Sequence, residues 1–181
     1  SKKKTSAKIL MEIVSSLKLV QDNLKNTYIQ SIDGNNGCSI TPLHSNHFAS
    51  WLRNEFFKQS ENFPSQNDLN SAISQADYLA QSSPDIGSTH YRFGFYNDKH
   101  YIDMCNGARE AIEISSNGWN IIQNCPAYFR NHNSQQALSV PIKHGNYTNI
   151  EKYINIEDDY NRTILLPTIC TIPLAKFTRP I

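Results

Sequence analysis

Residues 91–123 read YRFGFYNDKHYIDMCNGAREAIEISSNGWNIIQ. Apolar and polar side chains alternate in four short runs, Tyr91–Tyr96, Tyr101–Met104, Ala108–Ile114 and Trp119–Gln123. A period of two marks strands with one face buried. Between the runs stand Asn97-Asp98, Asn106-Gly107 and Asn117-Gly118, residue pairs that tolerate the positive φ of tight hairpin turns. The pattern predicts an antiparallel meander of four strands, with Ala127–Arg130 as a candidate extension. In this register Ile102 and Met104 are expected to face inward and Asp103 outward.

Upstream the period is helical. Ile9, Leu10, Ile13, Val14, Leu17, Val20 and Leu24 recur at helix spacing, so residues 6–25 read as one amphipathic helix with its lysines on the other face. Tyr28–Ile32 then reads as a strand, Asp33–Gly37 as a turn and Cys38–Leu43 as the returning strand of a hairpin. Ser45 is placed to cap a helix carrying Phe48, Trp51, Leu52 and Phe56 on one face. Ser65-Gln66-Asn67-Asp68 resembles a capping box and opens a helix with Leu69, Ala72, Ile73, Ala76 and Leu79. Residues 82–88 are a loop. The fold class expected is therefore α+β: an N-terminal helix and hairpin, two central helices, an antiparallel β-meander and a C-terminal apolar helical segment. A winged-helix-like element over Ser45–Asp103 fits the same order, with Ser65–Ala80 as its recognition helix. That helix holds no Lys or Arg, which argues against deep groove reading.

Downstream, residues 131–149 are polar and irregular, Ile150–Ile156 reads as a short helix, and residues 160–175 form a last apolar stretch broken by Pro167 and Pro173. The chain has 181 residues, enough for one core without disulfides or metal. Aromatics at 10% offset the low hydrophobic share of 39%, which excludes a disordered composition. The formal net charge of +1 means that any nucleic-acid surface is a local patch. Cys38, Cys105, Cys125 and Cys170 form no C-x-x-C pair and are expected as reduced, mostly buried thiols in a cytoplasmic protein. No apolar run is long enough to span a membrane, so no membrane partner is expected, and Ser1-Lys2-Lys3-Lys4 is not followed by a signal-peptide core.

The chain contains no G-x-x-x-x-G-K-[ST], G-x-G-x-x-G or G-x-S-x-G. His44 and His47 form an H-x-x-H that with Cys38 could bind metal, but turn and first-turn positions favour two solvated histidines. Asp98, His100 and Asp103 surround a predicted hairpin and could do acid–base work, although Asp98 suits its turn for backbone reasons alone. Asp158-Asp159 reads as a solvated helix start. No catalytic residue, metal or cofactor is expected. The candidate nucleic-acid-binding residues are Arg92, Lys99, Arg109, Trp119, Tyr128 and Arg130, with Tyr91 and Tyr101 beside them. Single strands are often held by a sheet whose aromatics stack bases while its cations track phosphates. The competing reading makes the aromatics core and the cations their snorkelling rim.

Tyr101–Asn106, Ala108–Ile114, Asn117–Ile122, Pro126–Arg130 and Leu138–Pro141 together resemble a pattern in bacterial prophage and mobile-element primase–helicases. There a hydrophobic-Asp-Leu strand precedes Trp-Arg-Ala-Val-Glu-Ile, Asp-Gly-Trp, Pro-Val-x-Phe-Arg and Leu-Pro-x-Pro. This chain departs where Ala108 stands in place of the Trp before Arg109. The resemblance implies the region preceding an ATPase domain: residues 1–130 an accessory domain, 131–159 a linker, 160–181 the start of the ATPase-like domain, with its phosphate loop beyond Ile181. It implies a non-catalytic module that positions DNA, single-stranded or duplex, or the adjacent ATPase domain, with homo-oligomers formed through the parent protein. The alternative is a structural protein–protein interaction module that binds no nucleic acid.

Overall fold

The computed structural model describes residues 5–30, 38–130, 134–155 and 158–172. The expected turn at Asp33–Gly37, Ser31 and Ile32 before it, and the terminal stretch from Pro173 lie outside these residues. Helix α1 spans Ser6–Ser15 and buries Leu10, Ile13 and Val14. It stops ten residues short of the helix expected over 6–25. Ser16 and Leu17 close it with backbone bonds to Ile13 and Val14, and the Ser16 hydroxyl also donates to the Ile13 carbonyl at 2.7 Å. The chain then enters strand β1 (Leu19–Gln21), which pairs antiparallel with β2 (Thr27–Gln30). Pairing buries Val20 and Gln21 and leaves Leu24 in the turn, 73% exposed. Cross-strand burial thus overrode a helical spacing that was coincidental beyond Val14.

β3 (Ser39–Pro42) completes the hairpin. α2 (Asn46–Ser60) is capped by Ser45, whose hydroxyl accepts from the Phe48 N–H at 3.2 Å, and it buries Phe48, Leu52 and Phe56. α3 (Gln66–Gln81) is capped by Ser65 and buries Leu69 with three alanines, Ala72, Ala76 and Ala80. Small side chains on that stripe let α3 lie close against α1, β1 and β2.

β4 (Thr89–His90) is followed by β5 (Phe93–Tyr96), β6 (Lys99–Asp103), β7 (Ala111–Ser115) and β8 (Gly118–Ile122), which form the expected antiparallel meander in the order β5-β6-β7-β8. Asn97 and Asp98 both take positive φ, 47° and 60°, as the two-residue hairpin turn demands. The Asn106-Gly107 site is wider than a two-residue turn: Asn106 Oδ1 accepts from the Glu110 N–H at 3.0 Å across a loop with Cys105 and Arg109 left-handed. Within β6 the faces are the reverse of those expected, with Asp103 buried at 7% exposure and Ile102 on the opposite face, while Met104, just past the strand end, is buried as expected.

β9 (Tyr128–Arg130) does not extend the meander. It inserts between β3 and β4, parallel to both, giving a five-stranded sheet of order β1-β2-β3-β9-β4. By register, Ile29, Thr41, Ser39 and Phe129 share one face of this sheet. The helices cover that face at Ile29, and the meander packs at Phe129 with Tyr101 and Ala111. Tyr28, Ile40, Tyr128 and Arg130 share the other face. The hairpin following α3 therefore belongs to a separate sheet from β1 and β2, the strands on which α3 packs, which departs from the expected winged-helix unit. A 3-10 helix (Tyr147–Lys152) and α4 (Asp159–Thr171) follow, the latter capped by Asp158, whose carboxylate accepts from the Asn161 N–H at 2.7 Å.

Candidate nucleic-acid interface

Three strands, β3, β9 and β4, run in one direction, and the residues at their carboxyl ends meet: Pro42 closing β3 and His44 after it, Arg130 in β9 and Tyr91 after β4. Loops at the carboxyl ends of parallel strands are where open sheets usually hold ligands. The antiparallel neighbour β2 begins at the same end, so Tyr28 and the β1–β2 turn (Asp22–Asn26) join the group. A cleft of about 370 Å³ opens there, lined by Lys25, Tyr28, Pro42, His44, Asp77 and Arg130 among others.

Arg130 is the half-buried cation of this cleft. Its guanidinium carbon lies 4.9 Å from the centroid of the Tyr91 ring and 5.9 Å from that of Tyr28, both within cation–π range. Its buried Nε has no acceptor among the described residues, and no carboxylate pairs with it there. Tyr28 is pinned in turn. Its hydroxyl donates to Asp22 at 2.8 Å, and Asp22, 1% exposed, also accepts from the Leu24 and Asn26 N–H groups and the Asn26 side chain. Burial pushes the Tyr28 phenol up, so it stays a donor. Burial opposes the charge on Asp22, but the bonds from Asn26, Tyr28 and Leu24 outweigh it and hold the carboxyl below its ordinary range. His90 is pushed down, first by burial and then by the Arg130 charge. The carboxylate of the cleft, Asp77, is met by Thr27 Oγ1, by His44 Nε2 at 3.3 Å and by Gln81 Nε2 at 3.0 Å.

Of the six residues expected to bind, only Tyr128 and Arg130 share a strand and a face. Arg92 donates to the Asp103 carbonyl at 3.1 Å and to the Gln136 carbonyl at 2.9 Å, and so ties residue 136 to the meander. Lys99 pairs with Glu113 at 3.0 Å. Arg109 sits in a left-handed loop residue and reaches Ser39 Oγ at 3.4 Å. Trp119 lies beside Ile114 on the outer face of the meander. By register that face also carries Phe93, Phe95, Ile102 and Ile112, with no Lys, Arg, Asp or Glu. Stacking surface is present there, but the cations needed to hold phosphate are not.

The other candidate constellations do not assemble. His44 turns to Asp77, His47 is exposed in the first turn of α2, and Cys38 is buried against Phe129 and Cys125. Among the described residues no group of three or more His, Cys, Asp or Glu is placed to hold a metal ion. His100 and Asp103, three apart on a strand, project to opposite faces: His100 meets the Phe95 ring at 5.0 Å, and Asp103 accepts from the Cys105 N–H at 2.9 Å. All four cysteines are free, and only Cys38 and Cys125 are buried. Burial and the Asp103 carboxylate push the Cys105 thiol up to about 12, which disfavours the nucleophilic thiolate.

Tyr28 and Asp77 were not expected at a site, and Lys25 was expected on the lysine-bearing, solvated face of the first helix. Their meeting with Arg130 depends on β9 entering between β3 and β4, a long-range parallel pairing without a local signal in the sequence. No protein-family model, curated protein or solved structure matches the chain. No helix of the described residues is long and apolar enough to cross a membrane.

Proposed function

We propose that this chain is a non-catalytic accessory domain of a phage or mobile-element primase–helicase-type ATPase, working in the cytoplasm and positioning DNA beside the motor. The supporting observation is Arg130: a guanidinium set against two tyrosine rings with its Nε unmet among the described residues. With no carboxylate partner among the described residues, the terminal N–H groups of that guanidinium are left to an outside acceptor, and phosphate is the acceptor that guanidinium fits best. Titration of a fluorescein-labelled oligonucleotide by anisotropy across a salt series tests the reading. Binding should strengthen as salt falls, and Arg130→Ala should weaken it about ten-fold. Lys99→Ala should leave it unchanged, since that ammonium is engaged by Glu113. Absence of binding at low salt would reject the reading.

The alternative, docking without nucleic-acid binding, is favoured by the uncharged outer face of the meander. Its partner would be the adjacent ATPase domain. Ile114→Lys should then abolish co-purification with that domain, and neither the parent chain nor the variant should bind an oligonucleotide at low salt.

A further inference from the structure

We infer that the cleft beside Arg130 takes one unpaired nucleotide of a single strand, with its phosphate between Arg130 and Lys25, and does not accept duplex. This rests on the DNA-positioning reading and narrows it. The site is concave. Its volume of about 370 Å³ suits a mononucleotide-sized ligand. A duplex presents its phosphates on a convex surface with the bases turned inward, so it could touch the rim of this cleft but not fill it.

The lining supplies what one nucleotide needs. Two cations stand at the cleft: Arg130, and Lys25 on the β1–β2 turn, which has no ion pair among the described residues. Pro42 contributes apolar wall. Among the described residues Asp77 Oδ2 accepts from Gln81 alone and keeps acceptor capacity for the N–H donors of a base edge. Because Asp77 is a carboxylate, the phosphate belongs at the Arg130 and Lys25 end and the base at the Asp77 end. The tyrosines give Arg130 a fixed orientation before any ligand arrives, which lowers the ordering cost of binding.

The test uses the 181-residue chain, a labelled 12-nucleotide single strand and the same sequence as a blunt duplex at low salt, with inorganic phosphate and a deoxynucleoside monophosphate as competitors. The single strand should bind at least ten-fold tighter than the duplex. The monophosphate should compete far better than inorganic phosphate. Arg130→Ala and Lys25→Asn should each weaken the single strand at least five-fold, with part of the loss restored in Arg130→Lys. Lys25 has a left-handed backbone (φ 65°), which Asn tolerates, so that variant removes charge without strain. Equal binding of duplex and single strand overturns the inference and leaves the DNA reading standing. Unchanged affinity in both folded variants, or inorganic phosphate competing as well as the nucleotide, overturns it too. If neither DNA binds, the DNA reading falls and takes the inference with it.

Discussion

Asp22 shows what one buried carboxylate does for this domain. It organises the β1–β2 turn and holds Tyr28 in place, and its folded pKa is depressed by the groups that donate to it. An unfolded aspartate titrates near about 3.9. The contribution of Asp22 is therefore complete above that value and is lost as pH falls through the lower folded pKa. Asp22→Ala should cost about 1–3 kcal/mol at neutral pH, read by urea denaturation, because several buried donors lose their acceptor. His90 works in the opposite range. Its folded pKa lies below the ordinary histidine value of about 6.5, so the unfolded chain takes up the proton first. Stability should be full above that value and should decline as pH falls below it toward the lower folded pKa. The decline should be shallower in His90→Gln, as denaturation midpoints across that range would show. Neither environment was legible beforehand. The sequence around Asp22 offered a helix, and nothing adjacent to His90 announced that Arg130 would lie near it.

At the scale of elements, what was legible was local. Alternation and turn chemistry placed all four meander strands, and Ser45 and Ser65 marked the starts of α2 and α3 because capping is a short-range interaction. The end of α1 was misplaced because Leu17, Val20 and Leu24 sustain a helical period by accident, and only pairing with β2 reveals β1. Asp98 offers a test of the turn. It holds φ 60° at the second turn position, where Gly is favoured, so Asp98→Gly should stabilise the domain by about 0.5–1 kcal/mol and raise its melting temperature. Gly94 tests the packing of β5. A Cβ there would stand 3.0 Å from both His90 Cδ2 and Phe129 Cζ, a contact with two rings that cannot both retreat. Gly94→Ala should cost about 1–3 kcal/mol by the same measurement.

For the whole molecule, the residue that joins the parts is Phe129. It is fully buried on the face of β9 where the five-stranded sheet meets the meander, among Tyr101, Ala111 and Ala127. Phe129→Ala should cost about 3–5 kcal/mol, and both sheets should melt in one lowered transition when far- and near-ultraviolet circular dichroism are compared. Two separate transitions would show the sheets to be independent. The candidate site was legible only in part for the same topological reason. Tyr128 and Arg130 were named as a basic and aromatic pair, yet they were assigned to the meander, and the cleft exists because they belong to the other sheet.

That placement has a mechanical side. Whatever follows residue 130 in the chain is tethered to an inner strand, gripped on both flanks by parallel neighbours and anchored by a buried ring. A pull from that direction loads two ladders in shear at once, where an edge strand could be peeled away one bond at a time. Were a motor joined downstream, as proposed, the bonds of residues 135–138 to Tyr91, Arg92 and Met104 would take the load first, and the inner strand only after they gave way.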